Sequence, residues 1–117
     1  MWDTGAGLRV YLAAGSTDMR KQINSLTILV QEALEMDPFT GSLFVFCNRR
    51  RSTVKALYWE RNGFCLWQKR LEEERFRWPE TGEEVLRISP QQLRWLLDGL
   101  DLVQQRAHQS LSYASVT

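Results

Sequence analysis

Over Leu8–Ala13 (LRVYLA) large apolar side chains alternate with others ahead of Gly15, and this period-two pattern predicts a short strand. Ser16, Thr17 and Asp18 follow as candidate cap residues. Apolar residues then recur at Met19, Ile23, Leu26, Val30, Ala33 and Leu34, spaced by three or four as on one face of an amphipathic helix, so a helix is expected with Asp18 as its cap. Asp37-Pro38 stops it, because the residue before a proline is pushed out of helical geometry, and Thr40-Gly41 supplies a turn.

The middle of the chain is patterned for strands, at Leu43–Cys47, Thr53–Glu60 and Phe64–Leu71. Asn62-Gly63 between the last two is a strong short-hairpin signal, since both residues tolerate positive φ. With those two residues as the loop, Arg61 faces Phe64, Trp59 faces Leu66, Tyr58 faces Trp67, Lys55 faces Arg70 and Val54 faces Leu71. Val54, Tyr58, Trp67 and Leu71 then share one face, the expected core side.

Beyond this lies a charged stretch, Glu72–Arg77, that alternates into Phe76 and Trp78. Pro79 and Gly82 mark a loop before a short strand at Val85–Ile88. Ser89-Pro90-Gln91-Gln92 is a capping box with proline at the first helical position, and Leu93, Leu96, Leu97 and Leu100 line one face of the helix it opens. Gly99 either ends that helix or is tolerated in it. The polar residues after Val103 predict a flexible tail. The pattern implies an α+β fold: one domain over residues 1–103, with an antiparallel β-meander flanked by an N-terminal and a C-terminal helix, and a tail over 104–117.

At 117 residues, 44% of them hydrophobic and five of them Trp, the chain can bury a core, which excludes wholesale disorder. No apolar run approaches the roughly 18 residues of a membrane helix, and Met1–Arg20 has no basic start leading into an apolar stretch, so a cytoplasmic protein without membrane partners is expected. Cys47 and Cys65 are too few for a disulfide framework. Placed on strands that both flank Thr53–Glu60, they would lie about two inter-strand spacings apart, beyond disulfide reach, and are expected as free thiols.

Charge changes the picture. The net value is only +1, but Leu43–Arg70 holds seven Lys or Arg against one acid, Glu60, while the remainder is net acidic. Arg49, Arg50 and Arg51 sit in a strand-to-strand connection, and Lys55, Lys69 and Arg70 gather at the same sheet end in the expected register. Opposed like charges destabilise a sheet, so such a cluster suits neutralisation by a phosphate backbone. The same cluster is also compatible with a solvated hairpin tip answered by Glu72, Glu73 and Glu74. Trp59 and Phe64, on the face carrying Lys55 and Arg70, either stack bases or pack under a helix.

Signatures of catalysis are missing from the sequence. His108 is the single histidine and falls in the expected tail, and no phosphate-cradling glycine loop occurs. Asp18 reads as a cap, Glu72–Glu74 as a solvated run, and Asp98 and Asp101 as helix-surface acids, which leaves no carboxylate set for a metal. Neither an enzyme nor a cofactor nor a metal site is expected.

The order and spacing of several short motifs resemble the small accessory proteins, often called TnpB, encoded by the second reading frame of insertion-sequence-66-type transposable elements. The resemblance runs from about Leu8 to Leu100. Its motifs are Gly15-Ser16-Thr17-Asp18-Met19-Arg20-Lys21, Asp37-Pro38-Phe39-Thr40-Gly41 leading into Leu43-Phe44-Val45-Phe46, Asn48-Arg49-Arg50-Arg51, and Lys55 with Leu57-Tyr58-Trp59. Asn62-Gly63-Phe64, Leu66-Trp67-Gln68-Lys69-Arg70-Leu71-Glu72 and Phe76-Arg77-Trp78-Pro79 complete the series. The chain departs from the family pattern at Gln22 and Ser25, where glycine is usual, and at Ser52, where an acid is common.

The resemblance implies a role in bacterial transposition beside a separate, larger transposase, and implies no reaction. Together with the cation cluster it leads to the expectation of a non-enzymatic accessory factor that binds DNA through Arg49, Arg50, Arg51, Lys55, Lys69 and Arg70. The alternative is an adaptor that binds the transposase through exposed apolar residues such as Trp59, Phe64 and Trp95.

Overall fold

A five-stranded mixed sheet organises the computed structural model, which describes residues 7–79 and 83–100. Its strands are β1 (Val10–Ala13), β2 (Leu43–Cys47), β3 (Thr53–Glu60), β4 (Gly63–Arg70) and β5 (Val85–Ile88), in the spatial order β4-β3-β2-β1-β5. Helix α1 (Ile23–Glu32) connects β1 to β2, and α2 (Pro90–Leu97) follows β5. The fold is α+β, but the expected meander accounts only for β2, β3 and β4. The first strand runs parallel to β2, as the crossover through α1 requires, and β5 adds antiparallel to its outer side.

Alternation divides the sheet into two faces. One carries Val10, Leu12, Val45, Cys47, Val54, Ala56 and Tyr58, covered by Leu93 and Leu96 of α2 and by Phe76 and Trp78. The other carries Ala13, Phe44, Phe46 and Leu57 against Leu26 and Val30 of α1. Every residue of β2 is buried, as a central strand covered on both faces must be.

Helix α1 begins later than its apolar spacing predicts. Met19 packs on the α1 face of the sheet, yet it precedes the helix, whose N-cap is Gln22 with no side-chain cap. Asp18 is therefore not the cap. Its carboxylate instead accepts from the backbone N–H of Arg20 at 2.9 Å and from the Arg20 guanidinium, a local turn that competes with helix. At α2 the expected capping box is present: Ser89 Oγ accepts from Gln92 N–H at 3.0 Å, and Gln92 Oε1 from Ser89 N–H at 2.9 Å. Gly99 ends this helix at φ 84°. The N–H of Leu100 donates to Trp95 O and that of Gly99 to Leu96 O, a pattern that requires the left-handed residue between them.

The β3–β4 hairpin turns one residue earlier than Asn-Gly predicts. Glu60 pairs with Gly63, so Arg61 and Asn62 form the loop, with Arg61 at φ 56°. Trp59 therefore faces Phe64, Leu57 faces Leu66 and Lys55 faces Gln68, while Arg70 faces Thr53. The expected opposition of Lys55 and Arg70 does not occur. Aromatic and aliphatic cross-strand pairs outweigh the local turn preference here, helped by Phe39, which packs on both rings of the Trp59–Phe64 pair. Because the pairing moves by two, every side chain keeps its predicted face.

Cys47 and Cys65 are free, on strands separated by β3; burial pushes the Cys47 thiol up from its ordinary value. Among the described residues no helix is long and apolar enough to cross a membrane. The expected tail at 104–117 lies outside the described residues.

Candidate nucleic-acid interface

The β1–α1 connection, the Asn48–Ser52 loop and the segment after β4 all meet at one end of the sheet. Hydrogen bonds tie them together: Thr17 N–H donates to Cys47 O at 2.9 Å, Leu71 N–H to Ser52 O at 2.8 Å and Phe76 N–H to Arg51 O at 2.7 Å. Asn48 shapes the arginine loop. Its Oδ1 accepts from the N–H groups of Ser52 (2.9 Å) and Thr53 (3.0 Å), and its Nδ2 donates to Ser52 Oγ. Arg51 closes the loop in the left-handed region, at φ 62°. That conformation costs a non-glycine residue roughly 1–2 kcal/mol, offset by the Arg51 guanidinium, which donates to Gly15 O at 2.7 Å and to Asn48 O at 3.4 Å.

The six cations expected as a set have different fates. Arg49 and Arg50 are exposed at the loop tip, and among the described residues neither guanidinium is paired. Arg51 is half-buried and anchors the loop. Lys69 is half-buried as well, its ammonium donating to Leu97 O at 2.8 Å, where a cation complements the carbonyl end of α2. Arg70 is exposed and makes a surface ion pair with Glu72 at 3.2 Å, of a kind worth about 0–1 kcal/mol.

Lys55 leaves the set. The residue is 1% exposed, and its ammonium donates to Met19 O at 2.7 Å and Lys21 O at 2.8 Å, so it pins the β1–α1 connection from below instead of facing a ligand. Burial holds its pKa below the ordinary lysine range, partly opposed by the charge of Asp18.

Two cations that spacing did not single out belong to the same end. Along Arg75-Phe76-Arg77-Trp78 the aromatic residues are buried and the arginines exposed. Arg75 donates to Arg50 O at 2.6 Å and so braces the arginine loop from outside. Arg51, Arg75 and Arg77 line an open cleft of about 630 Å³ together with Glu74, Phe76 and Gly99. The period-two pattern of this stretch was the signal that could have found them.

Trp59 and Phe64 lie at the other end of the sheet, with centroids 5.0 Å apart and Phe39 packed on both. The length of β3 separates them from the arginine loop, roughly 24 Å at about 3.4 Å per residue, so rings and cations do not form one site. Among the described residues no group of three or more His, Cys, Asp or Glu could hold a metal ion; His108 and Asp101 lie outside them.

A small α+β domain with a tethered arginine loop is the class that this fold and sheet end define. The model of the family of IS66 Orf2-like proteins matches residues 8–107. Two proteins of Sinorhizobium fredii strain NGR234, both described only as uncharacterized, are similar over most of their length. One, y4hO, is 44% identical over 101 residues, covering 86% of this chain and 88% of its own. The other, y4jC, is 37% identical over 95 residues, 81% of each chain. No solved structure matches significantly. The chain belongs to the IS66 Orf2-like family, which links it to IS66 transposition.

Proposed function

We propose that the protein is a non-enzymatic accessory factor of transposition that binds DNA phosphates through the sheet end bearing Arg49, Arg50, Arg70, Arg75 and Arg77. One observation carries the reading: Arg49 and Arg50 stand exposed, and unpaired among the described residues, on a loop whose backbone is fixed by Asn48, Arg51 and Arg75. A solvated hairpin tip needs no such bracing, whereas a rigid loop presents its guanidinium groups to an anion with little ordering cost. Of the acids nearby, Asp18 is held by Arg20 and Glu72 by Arg70, while Glu74 lines the cleft with Arg51, Arg75 and Arg77. The test is a titration of element-end and unrelated duplex DNA at several salt concentrations. About three to four phosphate contacts give a slope of log K on log salt of roughly −3. A variant carrying Arg49→Ala, Arg50→Ala and Arg70→Ala should lose most of that slope with its fold intact; equal binding by the variant, or none by the parent at low salt, overturns the reading.

A second reading has its own support at the opposite end. Phe39 is 51% exposed over Trp59 and Phe64, which suits an apolar contact with the transposase. Retention of purified transposase that is lost on Phe39→Ser, with DNA binding unaffected by the arginine substitutions, would favour it.

A further inference from the structure

Strand β4 is an eight-residue edge that pairs, among the described residues, only with β3. The ladder to β3 continues into the bond from Leu71 N–H to Ser52 O, which sets the alternation: Gly63, Cys65, Trp67 and Lys69 turn their backbone groups toward β3. Those of Phe64, Leu66, Gln68 and Arg70 point outward. Among the described residues none of these four N–H groups donates to another backbone segment.

Protein edges are normally guarded by a charge, a proline, a bulge or shortness. The other edge strand, β5, has only four residues and carries Arg87. Strand β4 has none of these guards over Phe64–Gln68: the stretch is Phe, Cys, Leu, Trp, Gln, and its register with β3 runs without a bulge. An open groove of about 720 Å³ flanks it, walled by Leu66, Gln68 and the uncharged first turn of α1 with Gln22, Asn24 and Ser25. Over Phe64–Gln68 the edge therefore carries no charge of its own.

We infer that the occupant of this edge is β4 of a second copy, added antiparallel about a two-fold axis through Leu66, so that two sheets join into one. The strand is complementary to itself in that arrangement. Leu66 meets Leu66, Phe64 meets Gln68 and Cys65 meets Trp67, so each outward-facing residue lies opposite an outward-facing one and both rows of backbone groups are satisfied together. Charge selects the same orientation. Lys69 and Arg70 lie at one end of β4, and the two-fold sets them against Gly63 and Asn62, whereas a parallel pairing would stack cations on cations.

Sedimentation of the full chain across micromolar to millimolar concentration tests this. The parent should sediment as a dimer. Gln68→Pro removes one outward N–H and blocks the edge while leaving every β3–β4 bond in place, and should raise the dimer dissociation constant at least about tenfold with far-ultraviolet circular dichroism unchanged. Leu66→Cys in a Cys65→Ser background provides a check that does not depend on how proline is tolerated. The facing residues would have Cα atoms about 5.5 Å apart, within disulfide range, and mild oxidation should give a covalent dimer. A parent that stays monomeric at millimolar concentration overturns the inference. So does a folded Gln68→Pro variant that dimerises as well as the parent, a Leu66→Cys variant that does not cross-link, or a monomeric chain whose edge is taken up only by the transposase.

Discussion

The ammonium of Lys55 lies 2.7 Å from the carbonyl oxygen of Met19, joining the middle of the central hairpin to the connection that leads into α1. A cation at the sequence level thus becomes a buried fastener. Lys55→Met leaves the carbonyls of Met19 and Lys21 without that donor and should cost about 2–4 kcal/mol in urea unfolding. DNA affinity per folded molecule should be unchanged, which a titration of the variant well below its melting temperature checks.

The same burial gives a pH signature. The folded pKa of Lys55 lies below the unfolded value of 10.5, so between the two the unfolded chain binds more protons. Stability therefore rises with pH in that alkaline window for this group alone. The parent should gain on Lys55→Met as pH increases toward 10.5, read as the difference between their urea midpoints; a difference that is flat or shrinks there contradicts a depressed pKa.

Asp18 makes the opposite prediction at the acid end. Its carboxylate is held to about 2, against an ordinary 3.8, first by the side-chain bond from Arg20 and then by the Arg20 backbone N–H. A depressed carboxylate pKa stabilises the fold above the unfolded value, and that contribution fades as pH falls from 3.8 toward 2. Both partners are largely solvated, with side chains 91% and 43% exposed for Arg20 and Asp18, so the effect on overall stability should be small. The local titration is the measurement: the carboxyl carbon shift of Asp18 should turn near 2, and should move up toward 3.8 in Arg20→Ala.

Much of the fold was legible in the sequence because its signals were local and mutually consistent. Thr53–Glu60 and Val85–Ile88 are strands with the predicted limits, and Ser89 and Gln92 form the capping box their spacing implies. What escaped depended on distant partners or on a competing local turn. The hairpin register was decided by Phe39 packing on Trp59 and Phe64, from outside the hairpin, and the start of α1 by the Asp18–Arg20 turn. Parallel pairing of β1 with β2 follows from the strand–helix–strand order, but the four residues of β1 do not themselves show which strands it lies between. At the arginine loop, residue type could not separate Arg49 and Arg50, which face solvent, from Lys55, which lies beneath the β1–α1 connection.

Arg51 separates backbone strain from side-chain anchoring. At φ 62° a glycine would be relaxed, yet the guanidinium bonds to Gly15 O and Asn48 O would be lost. Arg51→Ala loses the bonds and keeps the strain, and should destabilise by about 1–3 kcal/mol. Arg51→Gly loses the bonds but relieves the strain, and should be the milder change by about 1 kcal/mol. Urea midpoints of the two variants, measured side by side, check the order.

The alternation along Arg75-Phe76-Arg77-Trp78 allows the structural and binding roles of this sheet end to be taken apart within four residues. Phe76 is buried in the core face, and Trp78 donates its indole N–H to Ala13 O at 3.1 Å. Phe76→Ala should therefore cost about 3–5 kcal/mol through lost burial and a residual cavity, and Trp78→Phe about 1 kcal/mol through the lost bond. Arg77 is exposed on the cleft it lines with Arg51 and Arg75, so Arg77→Ala should leave stability within about 0.5 kcal/mol of the parent. If the cleft faces DNA phosphates, Arg77→Ala should also shallow the salt dependence of binding by roughly one phosphate contact, about 0.9 in slope. Arg75→Ala should do more, since it removes a cation and also the brace on Arg50 O, with a loss of affinity exceeding that of Arg77→Ala at every salt concentration. Equal losses for the two arginines would mean that the brace does not position Arg50, and no loss for either would remove the cleft from the interface.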